Sequence, residues 1–273
     1  MGIFDGILIC TDLDGTLLRN DKTVSEENRR AIEYFEREGG YFTFMTGRMP
    51  FYSADAYRMA RPNAPFGCIN GGGVYDYEAK RYIWRQGIDE RGVELMRAVD
   101  EQFPAVGIVA STFENTYFCK ENDATRSFRA RTRLPELVCD YREVREPLAK
   151  VIFASDCEAE LLQVGELLRT HPLAAHFNTV RSERTFFEVL PCGIDKGVAM
   201  EKLTEYLGVD PKRTVALGDY DNDIPMFRPA GLAIAVANAC RAALDAADAV
   251  TVSNEEHAVA RVIYDLEAGK YQL

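Results

Sequence analysis

The sequence predicts an α/β protein: a doubly wound, Rossmann-like parallel-sheet core interrupted by an inserted α+β cap domain. Three observations predict it. Both ends of the chain alternate apolar strands with amphipathic helices in a βαβ rhythm. The middle third breaks that rhythm with short apolar stretches suited to a mainly antiparallel sheet. Four polar features fall where predicted strands end and helices or loops begin, the edge at which open α/β sheets bind ligands. The expected division is core 1–84, insertion 85–185 and core again 186–273.

Each element follows from local pattern. GILICTD (6–12) is apolar or β-branched nearly throughout, as a strand buried on both faces requires. SEENRRAIEYFEREGG (25–40) predicts a helix. Ser25 caps it, Glu26 and Glu27 favour its first turn, Ile32 and Phe35 share a face, and Gly39 or Gly40 stops it. YFTFMTGR (41–48) is a second strand running into a loop, which completes a βαβ unit. FGCINGGG ends in three glycines, and VYDYEAKRYIW predicts a hairpin turning near Glu78–Lys80. In the middle third, VGIVAST, TYFCK, KVIFAS and TFFEVL read as strands among helical pieces such as EAELLQVGELLRTH. The α/β rhythm returns in GIDKGVAMEKLTEYLG, a helix with Val198, Leu203 and Leu207 inward. RTVALGD, GLAIAVANA and DAVTVS are strands, and a last helix carries a Ser253/Glu256 capping box.

Composition narrows the function classes. The net charge of −11 repels nucleic acid and anionic membranes, so any anionic substrate needs a locally positive pocket. No apolar run is long enough to cross a bilayer. The N-terminal stretch lacks a basic region, which argues against a signal peptide. The seven cysteines are scattered, odd in number and without a CxxC. They predict free thiols, each a small buried hydrophobe, in a reducing cytoplasm. His171, His176 and His257 are too poorly spaced for a metal site and read as surface or helix-end residues. Nothing implies an obligate protein partner.

The first strand ends in Asp12 and Asp14, one residue apart, before Gly15. Paired carboxylates at a strand end resist burial unless a cation offsets them. Thr46 and Gly47 follow the second strand, Lys196 opens a helix, and Asp219, Asn222 and Asp223 follow TVALG. Taken singly these are weak signals: Asp-x-Asp-Gly is as readily an Asx turn, TGR a common turn and Lys196 a solvated lysine. A parallel sheet would bring all four groups to one edge, and that joint arrangement favours a functional site.

The ordered set DLDGT, TGR, Lys196 and GDYDND resembles the four motifs of the haloacid dehalogenase superfamily of phosphohydrolases. The insertion between the second and third motifs resembles the cap of its Cof-type branch, as do INGGG, AVANA and DAVTVSNEEHAVARVI. The resemblance implies Asp12 as the nucleophile, forming an aspartyl-phosphate, and Asp14 as general acid and then base. It implies Mg²⁺ held by Asp12, the main-chain carbonyl of Asp14 and Asp219. Lys196, Thr46, the Gly47 amide and Asn222 would bind phosphate, with Asp223 orienting the loop or Lys196 from behind. Arg48 suits ion pairing or loop packing as well as phosphate contact, and Asn70 suits either the pocket or its own turn.

The expected activity is hydrolysis of a small phosphorylated metabolite such as a sugar phosphate, nucleotide or cofactor phosphate. The alternatives are a phosphomannomutase-like sugar phosphomutase and a non-catalytic phosphometabolite sensor. The core motifs handle only the phosphoryl group. Selectivity is therefore expected from the insertion, where Lys120, Arg126, Arg129, Arg131 and Arg133 gather either as a solvated face or as substrate contacts.

Overall fold

The structure is a computed structural model that describes residues 2–271 and 273, with Ser182 described in its backbone alone. In chain order the first segment holds β1 (Leu8–Thr11), α1 (Glu26–Arg37), β2 (Tyr41–Phe44), α2 (Ala54–Ala60), β3 (Phe66–Cys68), β4 (Gly73–Asp76) and β5 (Arg81–Arg85). The middle holds α3 (Arg91–Gln102), β6 (Gly107–Thr112), β7 (Thr116–Lys120), α4 (Asp123–Thr132), β8 (Leu148–Ala154), α5 (Glu158–Thr170), β9 (Phe177–Glu183) and β10 (Phe186–Pro191). The last segment holds α6 (Lys196–Leu207), β11 (Thr214–Gly218), α7 (Ile224–Phe227), β12 (Leu232–Ala235), α8 (Arg241–Ala246), β13 (Ala249–Val250) and α9 (Ala258–Glu267).

The two ends of the chain, Met1–Arg85 and Asp195–Leu273, form one unit. Its sheet is parallel, in the order β13-β12-β11-β1-β2. After β1 the chain winds to β2 on one side. After the insertion it returns at β11 and winds through β12 and β13 on the other. The winding direction therefore reverses between β1 and β11, which is where such sheets open a crevice at their carboxyl ends. Asp12 and Asp219 are the residues that continue these two neighbouring strands. Leu8, Cys10 and Ala216 pack against Met200 and Leu203 of α6 and against Met226 and Phe227 of α7. Val198 and Leu207, expected inward, are only half-buried. The buried face of α6 runs instead through Lys196, Ala199, Met200, Leu203 and Thr204. Ser25 caps α1 as expected, accepting from the Asn28 amide at 3.2 Å. A short antiparallel sheet, β3-β4-β5, contains the expected hairpin.

The second unit is Gln86–Ile194. Its sheet is antiparallel throughout, in the order β7-β6-β8-β10-β9. Ile108, Ala110, Val151, Phe153 and Val189 face Leu95, Met96 and Val99 of α3 and Val164 and Leu168 of α5. Val109, Phe118, Ile152 and Phe186 face the other way, toward Ala124 and Phe128 of α4.

The insertion ends at Ile194, not at residue 185. Phe186–Pro191 is an interior strand of the inserted sheet, paired with β8 and β9. A short apolar run fits a parallel or an antiparallel sheet equally well, and only its pairing partners assign it. The first boundary falls at Arg85, one residue past the expected 84, because Arg85 still pairs with Gly73.

Candidate active site

Asp12 leaves β1 with its amide bonded to the Leu217 carbonyl at 2.8 Å, so β11 fixes its backbone. Its side chain is buried, and Oδ1 accepts from Lys196 Nζ at 2.5 Å. The same ammonium donates to Asp223 Oδ1 at 2.6 Å. Lys196 is the first residue of α6, whose N-cap Asp195 accepts from the Val198 amide. Burial would lower the Lys196 pKa, but the Asp12 and Asp223 carboxylates outweigh it and keep the ammonium charged. Asp223 Oδ2 accepts from the amides of Asp219 and Tyr220 at 2.8 and 3.0 Å. Asp223 thus ties the loop after β11 to Lys196.

Asp219 accepts from Thr16 Oγ1 at 2.8 Å. Gly15, at φ +92°, lets the first loop approach it: a Cβ there would lie 2.5 Å from Asp219 Oδ2. Carboxyl oxygens of Asp12, Asp219 and Asp223 lie within 4.8 Å of one another. Three carboxylates share one ammonium, which leaves two negative charges in excess. The cost shows in protonation. Burial, helped by Asp223, pushes the Asp219 carboxyl up to about 6. Burial, with Asp223, Asp219 and Asp14 adding repulsion against the pull of Lys196, drives Asp12 well above the usual carboxylate range. An all-oxygen, doubly negative cluster fits a hard divalent cation. Both oxygens of Asp223 are already engaged, so the donors open to such an ion are Asp12 and Asp219.

Asp14 does not join that cluster. Its side chain is 41% exposed and held by cations. Arg48 donates from Nε to Oδ2 at 2.9 Å and from Nη2 to Oδ1 at 2.7 Å, and Lys22 Nζ donates to Oδ1 at 2.9 Å. Burial would raise the Asp14 carboxyl, but Arg48 and then Lys22 outweigh it and hold it below its ordinary value.

Thr46 is buried two residues beyond β2, and its Oγ1 accepts from the Arg48 amide at 3.2 Å. Gly47 faces the side-chain amide of Asn70, whose atoms would lie 2.9 Å from a Cβ at that position. Asn70 sits in a tight left-handed turn with Ile69, at φ 49° and 58°. Its amide bonds the Thr46 carbonyl, and its Oδ1 accepts from Asn222 Nδ2 at 3.0 Å. Asn70 therefore links the loop after β2 to the loop after β11.

The structure thus brings Asp12, Lys196, Asp219 and Asp223 into one cluster, sets Asp14 beside it under Arg48, and joins Thr46, Gly47 and Asn222 through Asn70. Sequence reasoning missed Lys22, an ordinary lysine until the turn folds back onto Asp14. It also missed Thr16 on Asp219, and Asn238, which bonds the Gly15 carbonyl at 2.8 Å. Among the cysteines, Cys10 and Cys68 are buried as expected, but Cys157 and Cys192 are exposed beside the ends of α5 and β10.

A model of the haloacid dehalogenase-like hydrolase family matches residues 9–263. The chain belongs to that family. It is a hydrolase by family, and several of its curated relatives are named as phosphatases. Bacillus subtilis (strain 168) 5-amino-6-(5-phospho-D-ribitylamino)uracil phosphatase YitU is 28% identical over 260 residues, covering 94% of this chain and 96% of the relative. The like-named phosphatase YcsE of the same organism is 28% identical over 256 residues, covering 94% of each chain. TM0651 from Thermotoga maritima superposes with a TM-score of 0.80 at 27% identity, over 94% of this chain and 96% of that one. No described helix is long and apolar enough to cross a membrane.

Proposed function

We propose that this haloacid dehalogenase-like hydrolase is a Mg²⁺-dependent phosphatase of a small phosphorylated metabolite, acting through an aspartyl-phosphate on Asp12. The observation that carries the reading is Asp12 itself: buried at the end of β1, 2.5 Å from an ammonium, in a cluster two positive charges short.

The residues divide the work. A carboxyl oxygen of Asp12 attacks phosphorus and the bond to the leaving oxygen breaks. Asp14 gives that oxygen a proton, then takes one from the water that attacks the phosphoryl group and frees Asp12. Lys196 holds positive charge beside the nucleophile, where burial strengthens it. The Thr46 hydroxyl, the Gly47 amide and Asn222 would hold phosphoryl oxygens, and Asp223 keeps Lys196 in place. Asp12, the Asp14 carbonyl and Asp219 would hold Mg²⁺, which would neutralise charge on the phosphoryl oxygens.

The named relatives act on a phosphorylated ribityl compound, which supports a polyhydroxylated alkyl phosphate as the substrate to test first. The seven free thiols support a reducing cytoplasm as its compartment. The test is phosphate release from 5-amino-6-(5-phospho-D-ribitylamino)uracil, hexose phosphates and nucleotides, with Mg²⁺ and with chelator. Release that requires Mg²⁺ and disappears in Asp12→Asn supports the proposal. Rearranged sugar phosphate without free phosphate, or no turnover of any substrate, overturns it.

A further inference from the structure

We propose that Arg48 is a positioning residue that sets the Asp14 carboxyl for proton transfer, an inference that rests on Asp14 being the acid and base of the proposed phosphatase. The Asp14 backbone is bridged to Leu18, but its side chain is 41% exposed, so its orientation depends on the groups that bond the carboxyl. Of the two cations that touch it, Lys22 is 61% exposed on a flexible stem and makes one hydrogen bond to it. Arg48 is 17% exposed and offers two parallel N–H groups, one to each carboxyl oxygen. A bidentate fork fixes the plane of a carboxyl group as well as its distance, which a single ammonium cannot do.

Arg48 is itself held on three sides. Its guanidinium lies over the Tyr52 ring, 5.1 Å from the centroid. Its amide donates to Thr46 Oγ1 at 3.2 Å, and its carbonyl accepts from the Ile69 amide at 3.0 Å. The chain segment that presents Thr46 to the phosphoryl group therefore also carries the fork that aims Asp14. One loop sets the spacing between phosphorus and the group that must reach the leaving oxygen. Misplacement of a reacting group by about 1 Å can cost on the order of 10²-fold in rate.

The inference separates from two others by leaving group. An alkoxide needs a proton to depart, whereas 4-nitrophenolate does not, and kcat/KM reports the steps through that departure. Arg48→Met and Arg48→Lys should lower kcat/KM for glucose 6-phosphate about 10- to 100-fold while changing that for 4-nitrophenyl phosphate about twofold or less. Tyr52→Leu, which removes the seat and keeps the charge, should shift the same ratio in the same direction. In an Asp14→Asn background, Arg48→Met should cost nothing further, because residues that act as one unit are non-additive. Equal losses on both substrates would make Arg48 a phosphoryl contact or a purely structural residue and overturn the inference. If Asp14→Asn shows leaving-group selectivity and Arg48→Met does not, the inference fails and the role of Asp14 stands. If Asp14→Asn shows none, both fail.

Discussion

Lys196 Nζ lies 2.5 Å from Asp12 Oδ1, inside packing that leaves the lysine side chain 1% exposed. Their positions in the chain are far apart, and α6 and β1 bring them together because Lys196 is the first residue of its helix and Asp12 the first after its strand. Burial of this kind makes Asp12 and Asp223 depend on the one ammonium they share, whereas the ammonium keeps Asp223 if Asp12 is neutralised. Removing one partner of a buried pair typically costs about 3–5 kcal/mol, because the remaining charge stays behind unpaired.

Lys196→Met should therefore lose both stability and rate. The expected loss is about 3 kcal/mol or more in urea unfolding, with kcat lower by about 10²–10³-fold, as for other electrostatic stabilisers. Lys196→Arg keeps the charge and should recover part of the stability. A Met variant as stable as the parent would show that Asp12 and Asp223 find another partner.

Asp12→Asn should behave in the opposite way on stability. It keeps the shape of the side chain and removes one of three carboxylates that crowd a single ammonium. Turnover should vanish, since an amide forms no acyl phosphate. The thermal midpoint without added metal should stay level or rise. Phosphate release near the parent rate, in protein verified by mass, would remove Asp12 from the nucleophile's role.

The crowding also sets a pH dependence. Asp219 rises from 3.8 to about 6 on folding, through burial and its neighbour Asp223. The folded state therefore binds a proton at pH values where the unfolded chain has released it. Stability from this group is full below pH 3.8, declines as pH rises toward about 6, and stays low above. Asp12 shifts in the same direction and adds to the trend. Mg²⁺ should relieve the repulsion, adding about 2.7 kcal/mol at a hundredfold excess over its dissociation constant. Differential scanning should show a larger Mg²⁺-induced rise in midpoint at pH 7.5 than at pH 5. Equal rises at the two pH values would place the ion away from Asp12 and Asp219, and Asp219→Ala should abolish the difference.

The core was legible because its signals are local. β-branched runs, Ser25, the Ser253/Glu256 box and polar strand ends each announce themselves within a few residues, and a parallel sheet then gathers the ends. What stayed hidden depends on distant pairing. TFFEVL is a good strand in any sheet, and the sequence does not say that β8 and β9 flank it. Lys22 reaches Asp14 only because the intervening turn closes. The basic cluster of the insertion reads from sequence as solvated face or substrate contact, and in the structure four of its five cations pair with acids of the insertion itself, with Arg126 and Arg131 more than half exposed. Lys120 pairs with Asp100, Arg126 with Asp123, Arg129 with Glu121 and Arg131 with Glu183, while Arg133 ends α4 in a left-handed cap. Arg129 and Arg131 also lie over the Phe118, Phe128 and Phe186 rings. Glu121 and Asp123 sit in the same stretch as the cations, whereas Asp100 of α3 and Glu183 of β9 come from distant parts of the chain and do not show in a 15-residue window.

The insertion carries a buried ion pair of its own, and it supplies the last prediction. Glu188 faces Ile152 across the β10–β8 ladder, and Lys150 lies two residues along β8, on the same side of the sheet. Diagonal neighbours of this kind are about 7–8 Å apart at the backbone, within reach of long side chains. Lys150 Nζ meets Glu188 Oε2 at 3.0 Å, with the side chains 6% and 5% exposed. Two hydrophobic residues of similar volume would fill the same space without the desolvation of two charges. Lys150→Met and Glu188→Leu should each cost about 3–5 kcal/mol alone, whereas the double variant should regain most of that loss. Urea unfolding of the full chain, followed by circular dichroism, gives the four corners of the cycle. A large coupling energy identifies the pair as mutually dependent. Single variants within about 0.5 kcal/mol of the parent would mean that water reaches the pair and screens it, as at an exposed salt bridge.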